Sequence, residues 1–247
     1  MPHHWGEPRY GYYLADDDWV VRKHGSLLAD AGVDFICFDM TNAVTYDPAW
    51  HTVFRNWASM RAAGNPTPKV AIVLHSGVNA TLTHMYEQLY QPGLYSDLWQ
   101  IWDGKPLILG NSSEVDDPAI RDFFTWRQSW AWTANQEWFG DGKDAWPWID
   151  FYPQGAGWHD DKSRKEEMPI AVAGWPTLNL GKSYDGYTHT QPPWGEANPA
   201  PGHYFRQQFE WALNATCHDD SFHCEGVPED DTLLPAAVFI TGFNGAG

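Results

Sequence analysis

The chain is short of basic residues: its 247 positions hold 15 Lys and Arg against 32 Asp and Glu, a net charge of −17. A surface this acidic repels phosphate groups, so neither nucleic acid nor an anionic membrane is an expected partner. Long apolar runs are also lacking, and no segment is predicted to span a membrane. Neutral and basic partners are consistent with this composition.

Cysteine is scarce too, with three residues in the chain. Cys217 and Cys224 flank a polar loop and have the spacing of a short disulfide. The alternative is a metal site that includes the two histidines between them, although zinc ligands are usually spaced more openly. The first residues do not form a signal peptide. Three N-x-S/T sequons agree with secretion, and we expect an extracellular protein whose signal lies outside this chain. The sequons are at Asn79, Asn111 and Asn214.

Motifs for cofactor or acyl-transfer chemistry are missing as well. No predicted strand is followed by a glycine-rich phosphate-binding turn, so we expect no nucleotide or flavin cofactor. The chain has no H-E-x-x-H zinc motif and no G-x-S-x-G nucleophile elbow. The sequence therefore predicts neither a cofactor nor a resident metal.

Tryptophan is in excess, with 16 residues, and seven of them lie between Trp126 and Trp158. These seven are interleaved with Gly, Asp, Asn and Gln, whereas a buried core would surround each indole with apolar neighbours. Flat rings beside carboxylates and amides are typical of a sugar-binding groove. The alternative is packing in a loop-rich surface, because Trp is highly buried on average. Three other tryptophans have helical spacing and are expected to pack: Trp19, Trp50 and Trp57.

Short apolar runs alternate with amphipathic stretches along the chain. The predicted helices are at about Asp17 to Ala31, Pro48 to Ala63, Asn79 to Tyr90 and Tyr204 to Asn214. About seven strands are predicted; the first two, in VDFICFDMTN and KVAIVLHSG, are apolar enough to be buried on both faces. This alternation predicts a parallel sheet of βαβ units. We therefore predict one α/β domain over residues 1–247, a (β/α)8 TIM-barrel-like fold, with a long loop at about 178–203.

Polar residues follow many of these strands, where a barrel carries its active site. Asp39 and Asp150 are the candidate catalytic carboxylates, with Glu137 as a third, because glycoside cleavage needs two carboxyl groups across the scissile bond. An Asx turn or a helix cap is the structural alternative for Asp39. The candidate substrate-binding residues are Asn42, His75, Trp130, Trp132, Tyr152, Gln154, Trp158, Trp175 and Asn244.

The run GYYLADDDWVVRKHGSLLADAGVDFICFDMTN resembles barrel glycoside hydrolases of the family 71 and family 99 type. In those proteins a helix of the form W-x-x-x-x-H…A-x-x-A-G-V-D leads into a strand that ends in Asp. VFITGFN is similar to their last strand, which continues as N-E-W and supplies a catalytic Glu. The resemblance covers Tyr10 to Gly77 and the final ten residues. It implies a barrel glycosidase; because Gly245 replaces that Glu and the first strand has no counterpart, it also implies an incomplete barrel.

Three functions follow from this reasoning. The first is hydrolysis of a polysaccharide by paired carboxylates. The second is a non-catalytic carbohydrate-binding barrel, which the missing Glu favours. The third is a metal-dependent hydrolase with Asp39, His75 and Asp150 as ligands. An oligosaccharide or polysaccharide is the partner expected from the first two, and the sequence indicates no oligomeric state.

Overall fold

A computed structural model describes residues 9–129, 144–149, 154–158, 165–171, 203–214 and 234–241. The chain divides into two compact units, one reaching Arg127 and the other beginning at Gln128. Several predictions lie outside the described residues: the loop at 178–203 and residues Trp130, Trp132, Glu137, Asp150, Tyr152, Trp175, Cys217, Cys224 and Asn244.

Four α-helices form in the first unit, at Asp18–Asp30 (α1), Asp47–Ala62 (α2), Val78–Met85 (α3) and Pro118–Phe123 (α4). The first begins where Asp17 accepts a hydrogen bond from the Val20 N–H at 3.0 Å, and it ends before Gly32, which has a φ of +79°. The third continues as a π-helical turn at Tyr86–Tyr90. The predicted bounds of α1 and α2 are confirmed to within a residue or two.

The strands of this unit are Phe35–Met40 (β1), Lys69–Leu74 (β2), Ile101–Trp102 (β3), Lys105–Leu109 (β4) and Thr125–Arg127 (β5). The order β1-β2-β4-β5 is parallel throughout, and β3 pairs antiparallel with β4. Asp103 and Gly104 join β3 to β4, and both have positive φ, as a type I′ turn requires. The predicted parallel sheet and α/β class are therefore present.

The four helices pack against one face of this sheet. Met40, Ile72 and Ile108 lie on that face and share one hydrophobic cluster with side chains of α1, α2, α3 and α4. The alternate positions Ala71, Leu107 and Leu109 point to the opposite face and are buried, but they lie outside that cluster. All helices of the described first unit are thus on one side of the sheet.

Two burial predictions in this unit are wrong. The side chains of β1 are half-buried from Phe35 to Phe38, because β1 pairs with a neighbour on only one side in the described chain. Trp19 is 60% exposed, because it lies outside the buried stripe formed by Val21, Gly25 and Leu28. The predicted burial of β2 is confirmed, and Trp50 and Trp57 are buried as expected.

The second unit contains strands Gly157–Trp158 (β6), Lys165–Ala171 (β7) and Ala237–Thr241 (β8) and helix His203–Asn214 (α5). The central strand, β7, is antiparallel to β6 and parallel to β8. The helix packs on this sheet: Gln208 Oε1 accepts from the Ala171 N–H at 2.5 Å, and Trp211 Nε1 donates to the Gln154 carbonyl at 3.0 Å. Among the described residues, no helix has the length and apolarity needed to cross a membrane.

Candidate functional site

The carboxyl edge of the four-stranded parallel sheet in the first unit is the candidate site. Strand register places Asp39 level with Val73, Leu109 and Arg127. Residues at one level of a parallel sheet point to the same face, which here is the face away from the helices. His75 follows the second strand directly and is exposed, as Asp39 is. The edge therefore brings two of the predicted site residues, from separate strands, to one end of the sheet.

Asp39 forms an Asx turn. Its Oδ1 accepts hydrogen bonds from the Thr41 backbone N–H at 3.0 Å and from the Thr41 hydroxyl at 2.7 Å. The structural role considered for Asp39 is therefore present. Neither bond uses Oδ2. The turn fixes the carboxylate at the surface, where it can still accept hydrogen bonds from a ligand.

The loops after β1 and β2 are held together. The Ser76 N–H donates to the Thr41 carbonyl at 2.9 Å. Gly77 has a φ of +59°, and a Cβ at this position would lie 3.0 Å from the Ala43 side chain. Glycine is therefore favoured here by both backbone conformation and space. This contact sets the positions of Asp39 and His75 relative to one another.

Two non-glycine residues of the loop after β1 have left-handed backbone conformations, Ala43 with φ +61° and Tyr46 with φ +52°. Such conformations cost about 1–3 kcal/mol each and are common at functional sites. Asn42 braces the loop, since its Nδ2 donates to the Tyr46 hydroxyl at 2.6 Å and its Oδ1 accepts from the Val44 N–H at 3.3 Å. Asn42 thus shapes the loop, and its amide is engaged within it.

A carboxylate that the sequence reasoning missed lies at the end of this loop. Asp47 Oδ1 accepts hydrogen bonds from Trp50 Nε1 at 2.9 Å and His84 Nε2 at 3.1 Å. Burial alone would raise the pKa of Asp47, but hydrogen bonds from Thr45, Trp50 and His84 outweigh it and lower that pKa. Asp47 therefore stays ionised and joins the start of α2 to α3.

Arg127 occupies a strand end, but its guanidinium is committed elsewhere. Its Nη2 donates to Asp103 Oδ2 at 2.6 Å and its Nη1 to the Trp126 carbonyl at 2.8 Å. Asp103 lies in the turn before β4, at the opposite end of that strand from Leu109. The side chain of Arg127 is 5% exposed. The structure therefore does not place this guanidinium at the carboxyl edge.

The structure places Gln154 and Trp158, both predicted to bind substrate, in the core of the second unit. Gln154 is fully buried and donates through Nε2 to the Gln208 carbonyl at 2.8 Å. Trp158 is 1% exposed, and the Lys165 ammonium lies 5.6 Å from its ring centroid. These contacts assign both residues to packing in this unit, away from an open surface.

Buried charges in β7 are a second feature that the sequence reasoning missed. Lys165, Glu166 and Glu167 are each at most 2% exposed. Trp146 Nε1 donates to Glu166 Oε2 at 3.0 Å, which supplies part of the hydrogen bonding that a buried carboxylate needs. The sequence did not predict this burial, because consecutive charged residues normally lie at the surface.

Within the described ranges, no group of three or more His, Cys, Asp or Glu side chains is arranged to hold a metal ion. No family model matches the chain, and none of the curated proteins matches it. Of the predicted site residues, Asp39 and His75 lie at the carboxyl edge, and Asn42 lies in the loop after β1. The function is therefore inferred from the arrangement of the chain's own residues.

Proposed function

We propose that this chain is a carbohydrate-active protein of the barrel glycoside hydrolase type, which binds a polysaccharide at the carboxyl edge of the β1-β2-β4-β5 sheet. The observation that carries the proposal is the exposed carboxylate of Asp39, held in a fixed turn at the end of a parallel strand. Ligands of parallel α/β folds bind at this end of the strands. A carboxylate there can accept hydrogen bonds from sugar hydroxyls.

A barrel is the architecture that we propose around this edge. Each parallel strand of the first unit lies beside the next one in the chain, apart from the short antiparallel β3. The described helices of this unit all pack on one face, whereas a doubly wound sheet carries helices on both. Buried residues such as Ala71 and Leu107 on the other face are suited to the interior of a barrel.

Hydrolysis requires a second carboxyl group across the glycosidic bond from Asp39. Asp150 and Glu137 are the candidates from the sequence. In this mechanism one carboxyl group protonates the leaving oxygen, and the other acts as nucleophile or activates water. His75, on the neighbouring strand end, is proposed to hydrogen-bond the substrate.

A panel of α- and β-glucans and mannans, assayed for new reducing ends and for binding, tests this proposal. Release of sugars that is abolished in Asp39→Asn supports hydrolysis. The control is Asp30→Asn, which makes the same charge change at an exposed residue of α1 and is expected to retain activity. Turnover that is unaffected by Asp39→Asn, or the absence of both binding and turnover, contradicts the proposal.

Carbohydrate binding without hydrolysis is the second candidate. It is favoured by Gly245, which stands where the resembling barrels carry their terminal Glu. Binding that Asp39→Asn weakens, with no reducing ends released from any glycan, distinguishes this function from the first. Turnover that is lost on chelation would instead favour a metal-dependent hydrolase.

A further inference from the structure

A groove on the surface of the first unit lies outside the candidate site. It has a volume of about 300 Å³ and is lined by Trp19, Arg22, Lys23, Ser26, Met60 and Asn65, which together we name the Trp19 groove. This volume is at the lower end of the range for small-molecule pockets, so the groove fits one sugar ring better than an extended chain. None of its residues belongs to the carboxyl edge.

The groove offers an exposed aromatic ring. Trp19 is 60% exposed, and the ring of Tyr10 meets it edge to face at a centroid distance of 5.3 Å. Trp19, Arg22, Lys23 and Ser26 recur at the i, i+3, i+4 and i+7 spacing of one helix face. The indole and the two basic side chains are therefore presented together.

The basic residues of the groove stand out on a chain with a net charge of −17. Arg22 and Lys23 are exposed, and neither forms an ion pair with a described residue. Asp18, one turn before Arg22, accepts hydrogen bonds from Arg55 and Asn56 and interacts with Arg22 only through its charge. No acidic residue is among those lining the groove. Two exposed cations beside an exposed ring suit a ligand that carries both an anionic group and a flat apolar surface.

We propose that the Trp19 groove binds an acidic sugar residue of a glycan. The sugar ring lies against the indole of Trp19, and its carboxylate lies between Arg22 and Lys23. Ser26 and Asn65 supply a hydroxyl and an amide for the sugar hydroxyls. The groove would give a polysaccharide a second contact with the protein. If the groove does not bind an acidic sugar, the proposed role of Asp39 is unaffected.

Calorimetric titration of the full chain with trigalacturonate, at low salt, tests this site. The same trisaccharide as its methyl ester keeps the rings and removes the charge, and succinate provides carboxylates without a ring. We expect trigalacturonate to bind at least about tenfold more tightly than the ester or succinate. The ester loses the charge-assisted hydrogen bonds, and succinate loses the contact with the indole ring. Added salt should weaken binding, since the groove is exposed to solvent.

Three variants locate the binding. Trp19→Ala and Arg22→Gln should each weaken trigalacturonate binding about tenfold or more, while the circular dichroism spectrum stays unchanged because both side chains are exposed. Arg206→Gln is the control: it makes the same charge change at an exposed residue of α5 and should bind normally. Equal binding of the ester or of succinate, wild-type binding by Trp19→Ala, or an equal loss in Arg206→Gln would overturn the proposal.

Discussion

The contact between α1 and α2 can be tested by adding one methyl group at Gly25. A Cβ at this position would lie 2.6 Å from Trp57 Nε1 and 3.1 Å from both Cδ1 and Cε2 of the same ring. The indole is 2% exposed and donates to the Val21 carbonyl at 3.0 Å. A rigid ring that is buried and hydrogen-bonded cannot move aside cheaply.

The magnitudes decide the sign of the change. Gly→Ala inside a helix ordinarily stabilises a protein by about 1 kcal/mol. Overpacking costs about 1–3 kcal/mol, and displacing the indole leaves a buried donor unpaired at a further cost of about 1–3 kcal/mol. Gly25→Ala should therefore lower the free energy of unfolding by about 1–5 kcal/mol.

Urea denaturation followed by far-UV circular dichroism measures this loss. The control is the same substitution in a Trp57→Leu background, where the rigid ring is absent and Gly25→Ala should be neutral or stabilising by up to about 1 kcal/mol. If Gly25→Ala stabilises the otherwise wild-type protein, the two helices do not meet at this residue and the described packing is wrong.

Three further substitutions test other contacts. Asp103→Asn keeps a residue that tolerates the left-handed turn but removes the carboxylate from Arg127; it should cost about 1 kcal/mol in thermal unfolding, because Asp103 is partly exposed, and an unchanged midpoint would argue against this ion pair. Because the pKa of Asp47 is lowered on folding, its ionised carboxylate stabilises the fold at pH values above the unfolded-state pKa of about 3.9. This stabilisation is lost as the pH falls through the pKa of the folded state. Asp47→Asn should thus be less stable than wild type at pH 7, by under about 1 kcal/mol for so exposed a group, with the gap closing in acid once the folded-state carboxyl is protonated; a gap that is constant with pH refutes this. Trp146→Phe removes the indole donor from buried Glu166 and should destabilise the second unit by about 2 kcal/mol, seen as faster hydrogen exchange in β7.

The elements that were predicted correctly are marked by residues that lie within them or next to them in the sequence. The start of α1 is marked by Asp17 and its end by Gly32, and these residue types are typical of helix ends. The second strand is apolar along its whole length and lies in the interior of the sheet. Helix α4, at Pro118–Phe123, was missed because six residues are too few to show a hydrophobic period, although Asp117 and Pro118 are start signals.

The features that the sequence did not predict depend on distant partners. The burial of the charged residues that begin the strand at Lys165 was not predicted, because it depends on distant contacts such as the hydrogen bond from the indole of Trp146 to Glu166. Asp47 was not singled out from the sequence, because its partner His84 is 37 positions away in the chain. For the same reason, the exposure of Trp19 could not be read from its helical spacing.

The rule that sites of parallel α/β folds lie at the carboxyl ends of strands did locate Asp39 and His75, since both lie at the ends of apolar strands that pair in parallel. The rule could not show which strand-end side chains remain available to a ligand. Arg127 ends a strand in the same sheet but binds Asp103, and Asn42 is engaged by the Tyr46 hydroxyl. Whether a strand-end side chain can bind a ligand depends on its contacts with residues of other segments, and the residues next to it in the sequence do not reveal those contacts.

Glycan binding by Asp39→Asn tests the central claim most directly. Asparagine keeps an Oδ1 that can accept both Thr41 hydrogen bonds, so the turn should persist while the charge is removed. With a glucan or mannan that the wild-type chain binds, we expect Asp39→Asn to weaken binding by about tenfold or more at an unchanged midpoint of unfolding, and Asp30→Asn to bind normally. Equal affinity of Asp39→Asn and wild type would contradict a ligand site at this edge of the sheet.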